Sequence, residues 1–101
     1  MDKIIRKNMN NIRALCKKHR VRSLYVFGSA AVGKSGKDSD VDLLVTFEPG
    51  FIKGYLSNYF SMTNELERIF NKNVDLVEQN AMINPYFIKS VNESKVLLYE
   101  Q

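Results

Sequence analysis

The connection between two apolar runs constrains this chain more than any other feature. Leu24-Tyr25-Val26-Phe27 stops at Gly28, and a second run, from Asp40 to Phe47, is closed by Glu48-Pro49-Gly50. Both are rich in aromatic or β-branched residues and end in turn formers, so they read as strands. The connection contains Gly28, Gly33 and Gly36. It has room for a short helix from Ser29 to Lys34 and a turn at Ser35-Gly36-Lys37-Asp38-Ser39. Gly28, Gly33, Lys34 and Ser35 also satisfy G-x-x-x-x-G-K-[S/T], the phosphate-binding P-loop pattern. A P-loop, however, opens a helix that crosses over to a parallel strand, which takes at least about 10–12 residues. Here Ser35 runs straight into turn residues. The P-loop reading fails on length.

Periodicity supplies the remaining elements. Ile4, Ile5, Met9, Ile12, Leu15 and Cys16 recur at helical spacing, which predicts an amphipathic helix over about residues 2–19. A helix is expected over 54–71, with Leu56, Tyr59, Phe60, Thr63, Leu66, Ile69 and Phe70 on its inner side. Tyr55, Tyr59 and Phe60 read as core, while Phe51 and Tyr55 could also border an adenine pocket. Strands follow at Val74 to Val77 and Lys95 to Tyr99. Between them Asn84-Pro85 reads as an N-cap with proline at the first helical position, opening a helix to about Asn92. The order predicts an α/β (α+β) fold, a small mixed β-sheet of about four strands with helices packed against it.

Composition narrows the class. At 101 residues and 45% hydrophobic content the chain is expected to form one domain, residues 1–101, rather than a disordered or fibrous protein. No apolar run reaches the roughly 20 residues of a membrane span. The charged start, Met1-Asp2-Lys3-Ile4-Ile5-Arg6, lacks a secretory apolar region. A single cysteine, Cys16, can form no internal disulfide and is too few for a zinc site. A cytoplasmic location is therefore expected. Residues 1–22 hold eight lysines and arginines against Asp2 alone, while the remainder holds seven basic and ten acidic residues. The basic excess reads as a solvated helix face rather than a nucleic-acid surface. His19, the only histidine, reads as a solvated residue at a helix end.

The chemistry concentrates between residues 28 and 43. Strand side chains alternate, so Asp40 and Asp42 share one face, about 7 Å apart, while Val41 and Leu43 point into the core. Two carboxylates so placed repel each other unless a cation lies between them. Mg²⁺ suits such ligands, since it prefers one or two carboxylates plus substrate phosphates to an all-protein cage. Gly28 lets backbone approach a phosphate, and Ser29 opens a helix whose free N–H groups attract anions. In Val74-Asp75-Leu76, Asp75 projects opposite its apolar neighbours and joins the pair if its strand lies beside the second one. Three carboxylates with two Mg²⁺ ions would make a two-metal site for in-line phosphoryl or nucleotidyl transfer. Lys34 and Lys37 lie in the phosphate-side turn.

Gly28-Ser29 followed by Ser39-Asp40-Val41-Asp42-Leu43-Leu44-Val45 resembles the signature of the DNA polymerase β-type nucleotidyltransferase superfamily, and most closely its minimal MNT-type members. The resemblance is strong over 24–47, good at 73–78, and extends by element order to Val96-Leu97-Leu98-Tyr99-Glu100. It implies the polymerase β-like nucleotidyltransferase fold and an antitoxin that transfers AMP from ATP to a tyrosine hydroxyl of a HEPN-type RNase toxin partner. It also implies Asp40, Asp42 and Asp75 as metal and catalytic residues, and Gly28 and Ser29 as triphosphate holders, with Lys34 or Lys37 as supporting charges. Val32 stands where the family often has arginine. With no second domain expected to hold an acceptor, a protein partner would bring its own binding surface. The reading from a different class is a binding module that neutralises its partner by occlusion.

Overall fold

The computed structural model describes every residue except Ser35, Lys37, Phe51 and Ile52. Two helices, α1 (Lys3–Lys7) and α2 (Met9–Lys18), lead into β1 (Val21–Phe27), the one-turn α3 (Ser29–Val32) and β2 (Val41–Phe47). Helix α4 (Tyr55–Phe70), β3 (Val74–Glu78), a 3₁₀ turn (Gln79–Ala81), α5 (Pro85–Ser94) and β4 (Val96–Glu100) complete the order. The strands form one mixed sheet in the order β3-β2-β1-β4. β1 runs antiparallel to β2 and β4, whereas β2 and β3, joined through α4, run parallel. The expected fold class is the one observed.

The two faces of the sheet are covered unequally. Leu24, Val26, Leu43, Val45 and Leu76 pack with Ile12, Leu15 and Cys16 of α2 and Met62, Leu66 and Phe70 of α4 in the larger core. Each such side chain contributes about 1.5–3 kcal/mol by leaving water. Phe27 and Leu44 meet Val91 of α5 in a smaller cluster, flanked by Tyr25, Val77 and Met82. This second face therefore has one helix over it, and the strand ends that carry the acidic residues stay accessible. No helix among the described residues is long and apolar enough to cross a membrane.

Several expectations need correction. The first helix is not continuous from 2 to 19. It breaks at Asn8 (φ −109°, ψ 15°), whose side-chain amide donates back to the Ile4 carbonyl at 2.8 Å. Asparagine competes with the helix ladder in this way, and the break starts a second helix. The inner face of α4 is rotated from the predicted one. Leu56 and Phe60 are 67% and 58% exposed, while Met62 is fully buried. The true inward stripe is Tyr55, Tyr59, Met62, Leu66, Ile69 and Phe70. Tyr55 stacks edge-on against Phe47 at 5.4 Å. Phe47 lies five residues along β2 from Asp42, about 17 Å at strand rise, so Tyr55 stands well away from the acidic residues. Phe51, its suggested companion, lies outside the described residues.

His19 is buried rather than solvated. Its Nδ1 faces Asn58 Oδ1 at 2.9 Å, its Nε2 pairs with the Glu65 carboxylate, and Asn58 Nδ2 donates to the His19 carbonyl at 2.8 Å. Lys18 Nζ bonds the same carboxylate at 2.7 Å. The end of α2 is thus tied to α4. Asn84 caps α5 as its sequence predicts, its Oδ1 accepting from the Tyr86 and Phe87 amides. Cys16 is buried, and burial pushes its thiol up to about 12, which leaves it unreactive.

Candidate functional site

Strand register brings the acidic residues together. Asp42 pairs with Phe27 on one side and with Asp75 on the other. Residues paired across adjacent strands point to the same face about 4.8 Å apart. The parallel pairing is set at its start by Val41 N–H donating to the Asn73 carbonyl at 2.9 Å. Asp40 sits two residues before Asp42, just outside β2. Asp42 is half-buried and the other two are exposed. Burial, and then the charges of Asp75 and Asp40, hold the Asp42 carboxyl above the usual aspartate range. Among the described residues none of the three carboxylates has a hydrogen-bonding or ionic partner.

Gly28 closes the site from β1. Its backbone takes φ +70°, ψ −149°, a conformation open to glycine. A β-carbon at this position would stand 2.8 Å from Asp42 Oδ2. Glycine is required here twice over, once for the backbone and once for the space against the carboxylate. The Gly28 N–H does not point to open solvent. It donates to Ser94 Oγ of α5 at 3.0 Å.

Helix α3 follows at once, with the Ala31 and Val32 amides donating to the Gly28 carbonyl at 3.1 and 3.4 Å. The Ser29 and Ala30 amides, at the helix start, are left without intrahelical partners. Gly33 ends the turn in the left-handed conformation, and Lys34 N–H donates to the Ser29 carbonyl at 2.9 Å. The helix therefore lies before the Gly33-Lys34 pair, and β1 and β2 are antiparallel. Neither fact is compatible with a P-loop.

Beyond Asp40 the site opens into a polar cleft of about 550 Å³ between the Asp38–Asp40 segment and the end of α4, where Glu67, Asn71 and Lys72 line it. Lys72 Nζ donates to the Gly36 carbonyl at 3.0 Å, placing a cation beside the turn that the sequence reading did not single out. Lys34 is exposed, Lys37 lies outside the described residues, and Val32 is 54% exposed on α3. Ser94, another residue the sequence reading missed, gives no local signal, because its partner is 66 residues away.

The arrangement fits divalent cations through its chemistry. Like charges crowd Asp42 without an internal counter-charge, and Gly28 keeps the space beside its Oδ2 free of side chain. Among the described residues no three His, Cys, Asp or Glu side chains form a ready-made metal cage. An open set of carboxylates completed by phosphate oxygens is the mode Mg²⁺ favours.

Comparison with known proteins agrees with this geometry. Residues 10–101 match the family described as "Polymerase beta, Nucleotidyltransferase". The chain belongs to that nucleotidyltransferase family. It is similar to a Methanocaldococcus jannaschii protein named "Putative protein adenylyltransferase MJ1379", 33% identical over 98 residues, covering 89% of this chain and 97% of the relative. It is also similar to a solved chain described as "Structure of putative minimal nucleotidyltransferase", with a TM-score of 0.77, 31% identity and 95% of each chain covered. A third likeness, at TM-score 0.66 and 18% identity, covers 95% of this chain and 72% of a chain in the structure of a tri-AMPylated Shewanella oneidensis HEPN toxin in complex with MNT antitoxin. At that identity the last of these bears on the fold alone.

Proposed function

We propose that this member of the nucleotidyltransferase family transfers AMP from ATP to a protein hydroxyl, a tyrosine of a HEPN-type toxin, and acts as that toxin's antitoxin. The observation that carries the reading is the in-register Asp42–Asp75 pair, uncompensated and set against the bare α-carbon of Gly28. Support for a protein acceptor comes from the adenylyltransferase name of the Methanocaldococcus relative, and the HEPN-type toxin is what the resemblance of the Gly28-Ser29 and Asp40-Val41-Asp42 motifs implies. We read residues 1–101 as one catalytic unit working in the cytoplasm.

In this reading Asp40, Asp42 and Asp75 would hold two Mg²⁺ ions. Bound there, the ions would neutralise phosphate charge and ease ionisation of the acceptor hydroxyl. The chain's own residues do the rest. Gly28 leaves room for the nucleotide tail beside Asp42, while the Ser29 hydroxyl and the free amides at the start of α3 orient its phosphates. Lys34, Lys37 and Lys72 add positive charge around the turn. Asp75, the more exposed partner of the pair, accepts the acceptor's proton. The hydroxyl oxygen then bonds to the α-phosphorus, the bond to the β-phosphate bridging oxygen breaks, and pyrophosphate leaves. Positioning and charge stabilisation supply most of the acceleration in such transfers.

ATP labelled at the α-phosphate tests the reading. With Mg²⁺ and the partner toxin, label is expected on the toxin together with released pyrophosphate, and γ-label is not expected on it. Val32, in place of an arginine, favours one competing reading, a module that neutralises by occlusion. Tight binding of the toxin without transfer of either label would select occlusion and overturn the proposal.

A further inference from the structure

Gly28 is gripped from both sides, and the grip from α5 has a consequence for nucleotide binding. On one side the position of its missing β-carbon lies against Asp42 Oδ2. On the other, its N–H donates to Ser94 Oγ at 3.0 Å. The Ser94 hydroxyl also lies 3.5 Å from the Ser90 carbonyl of its own helix. Because a backbone N–H can only donate, the Ser94 oxygen is the acceptor in its contact with Gly28. Helix α5 is itself anchored, with Val91 buried in the cluster with Phe27 and Leu44. Phe87 meets the Phe27 ring edge-on at 6.0 Å. The hydroxyl is thus presented from a fixed support.

Glycine has wide backbone freedom, so the φ +70°, ψ −149° conformation of Gly28 persists only if something holds it. The peptide entering Gly28 sets the direction of the chain into Ser29 and Ala30. A rotation of that peptide would turn the Ser29 amide away from Asp42 and Asp75, while Ala30 and Ala31, buried in the larger core, hold the rest of α3 in place.

We propose that Ser94 is a positioning residue for the nucleotide. Its hydroxyl locks the Phe27–Gly28 peptide so that the phosphate-side turn faces the carboxylates, and it touches neither substrate nor metal. This rests on the nucleotidyl-transfer reading above. Its test uses the full-length chain with Ser94→Ala and Ser94→Thr. Amide exchange at Gly28 is followed by ¹⁵N NMR without ligand, and transfer to the partner is measured against ATP concentration.

With Ser94→Ala, Gly28 exchange should quicken about tenfold and KM for ATP should rise about fivefold, with kcat held within about twofold, as expected for loss of one orienting hydrogen bond. Ser94→Thr, which keeps the hydroxyl, should restore both values. Unchanged Gly28 exchange in Ser94→Ala would overturn the proposal. So would faster exchange with unmoved KM, or parallel losses of kcat and melting temperature at constant KM, which would mark a purely structural serine. Failure of the unsubstituted chain to transfer label would bring down the transfer reading, and the positioning role with it. That outcome is distinguishable because it needs no variant.

Discussion

Strand β1 begins beside one polar cluster and ends beside another, and the two are built on opposite rules. At its start His19, Asn58, Glu65 and Lys18 satisfy one another: each ring nitrogen of the histidine has an oxygen partner, and the Glu65 carboxylate pairs with both Lys18 and His19. At its end Asp40, Asp42 and Asp75 are brought together by strand register, and burial, then the charges of Asp75 and Asp40, raise the Asp42 pKa. The first cluster completes itself within the fold. The second has no such partners among the described residues, and it is the one beside the open half of the sheet. A fold tolerates a few such unbalanced groups where function requires them and offsets their cost elsewhere.

The sharpest way to test this contrast is Asp42→Asn. Transfer should fall at least about 1,000-fold, on the scale expected for losing a metal-binding carboxylate. The melting temperature should hold or rise, because one of three crowded charges is gone. A melting temperature that drops instead would mean that the cluster holds the fold together.

His19→Ala should do the reverse. It leaves Asn58 and Glu65 short of a partner and opens a cavity between α2 and α4, at a cost of about 2–3 kcal/mol by urea denaturation. Label transfer per folded molecule should stay at the level of the unsubstituted chain. Loss of transfer in proportion to stability would dissolve the distinction.

Acid titration separates the clusters by sign. The folded pKa of Asp42 is raised, so its contribution to stability declines as pH climbs above 3.8 through the folded value. The folded pKa of Glu65 is lowered, first by hydrogen bonds from Lys18 and His19, so its contribution is present above 4.5 and disappears as pH falls through the folded value. Stability curves between pH 3 and 7 for Asp42→Asn and Glu65→Gln should therefore diverge from the parent in opposite directions. Added Mg²⁺ should flatten the Asp42 component and leave that of Glu65 alone. The smallest effect is expected for Val32→Arg. At an exposed position on α3 it should raise transfer by about two- to fivefold, a single charge contact to phosphate, with no change in stability.

The sequence conveyed what depends on near neighbours. Apolar blocks ending in turn formers gave all four strands, and Asn84-Pro85 gave the start of α5. Asp-x-Asp gave two carboxylates on one face. Structure then supplied the register that brings Asp75 beside Asp42, which the sequence could pose only as a condition. His19 was misread because its partners lie 39 and 46 residues away on another helix. The β1 boundary was placed late because Arg22 and Ser23 are polar, although the Gln101 amide donates to the Arg22 carbonyl at 2.9 Å and extends the pairing. On α4, packing against the sheet keeps Tyr59, Leu66, Ile69 and Phe70 of the expected stripe but takes Tyr55 and Met62 in place of Leu56 and Phe60. Lys72 and Ser94 act through contacts that no local pattern encodes.

The parallel ladder between β2 and β3 has an evolutionary corollary. The gap between Asp42 and Asp75 is a repeat of backbone hydrogen bonding, identical for any side chains along the two strands. Helices, loops and surface can drift a long way without retuning it. A chain this small can thus change its outer face while the spacing of the two carboxylates stays fixed by the peptide itself.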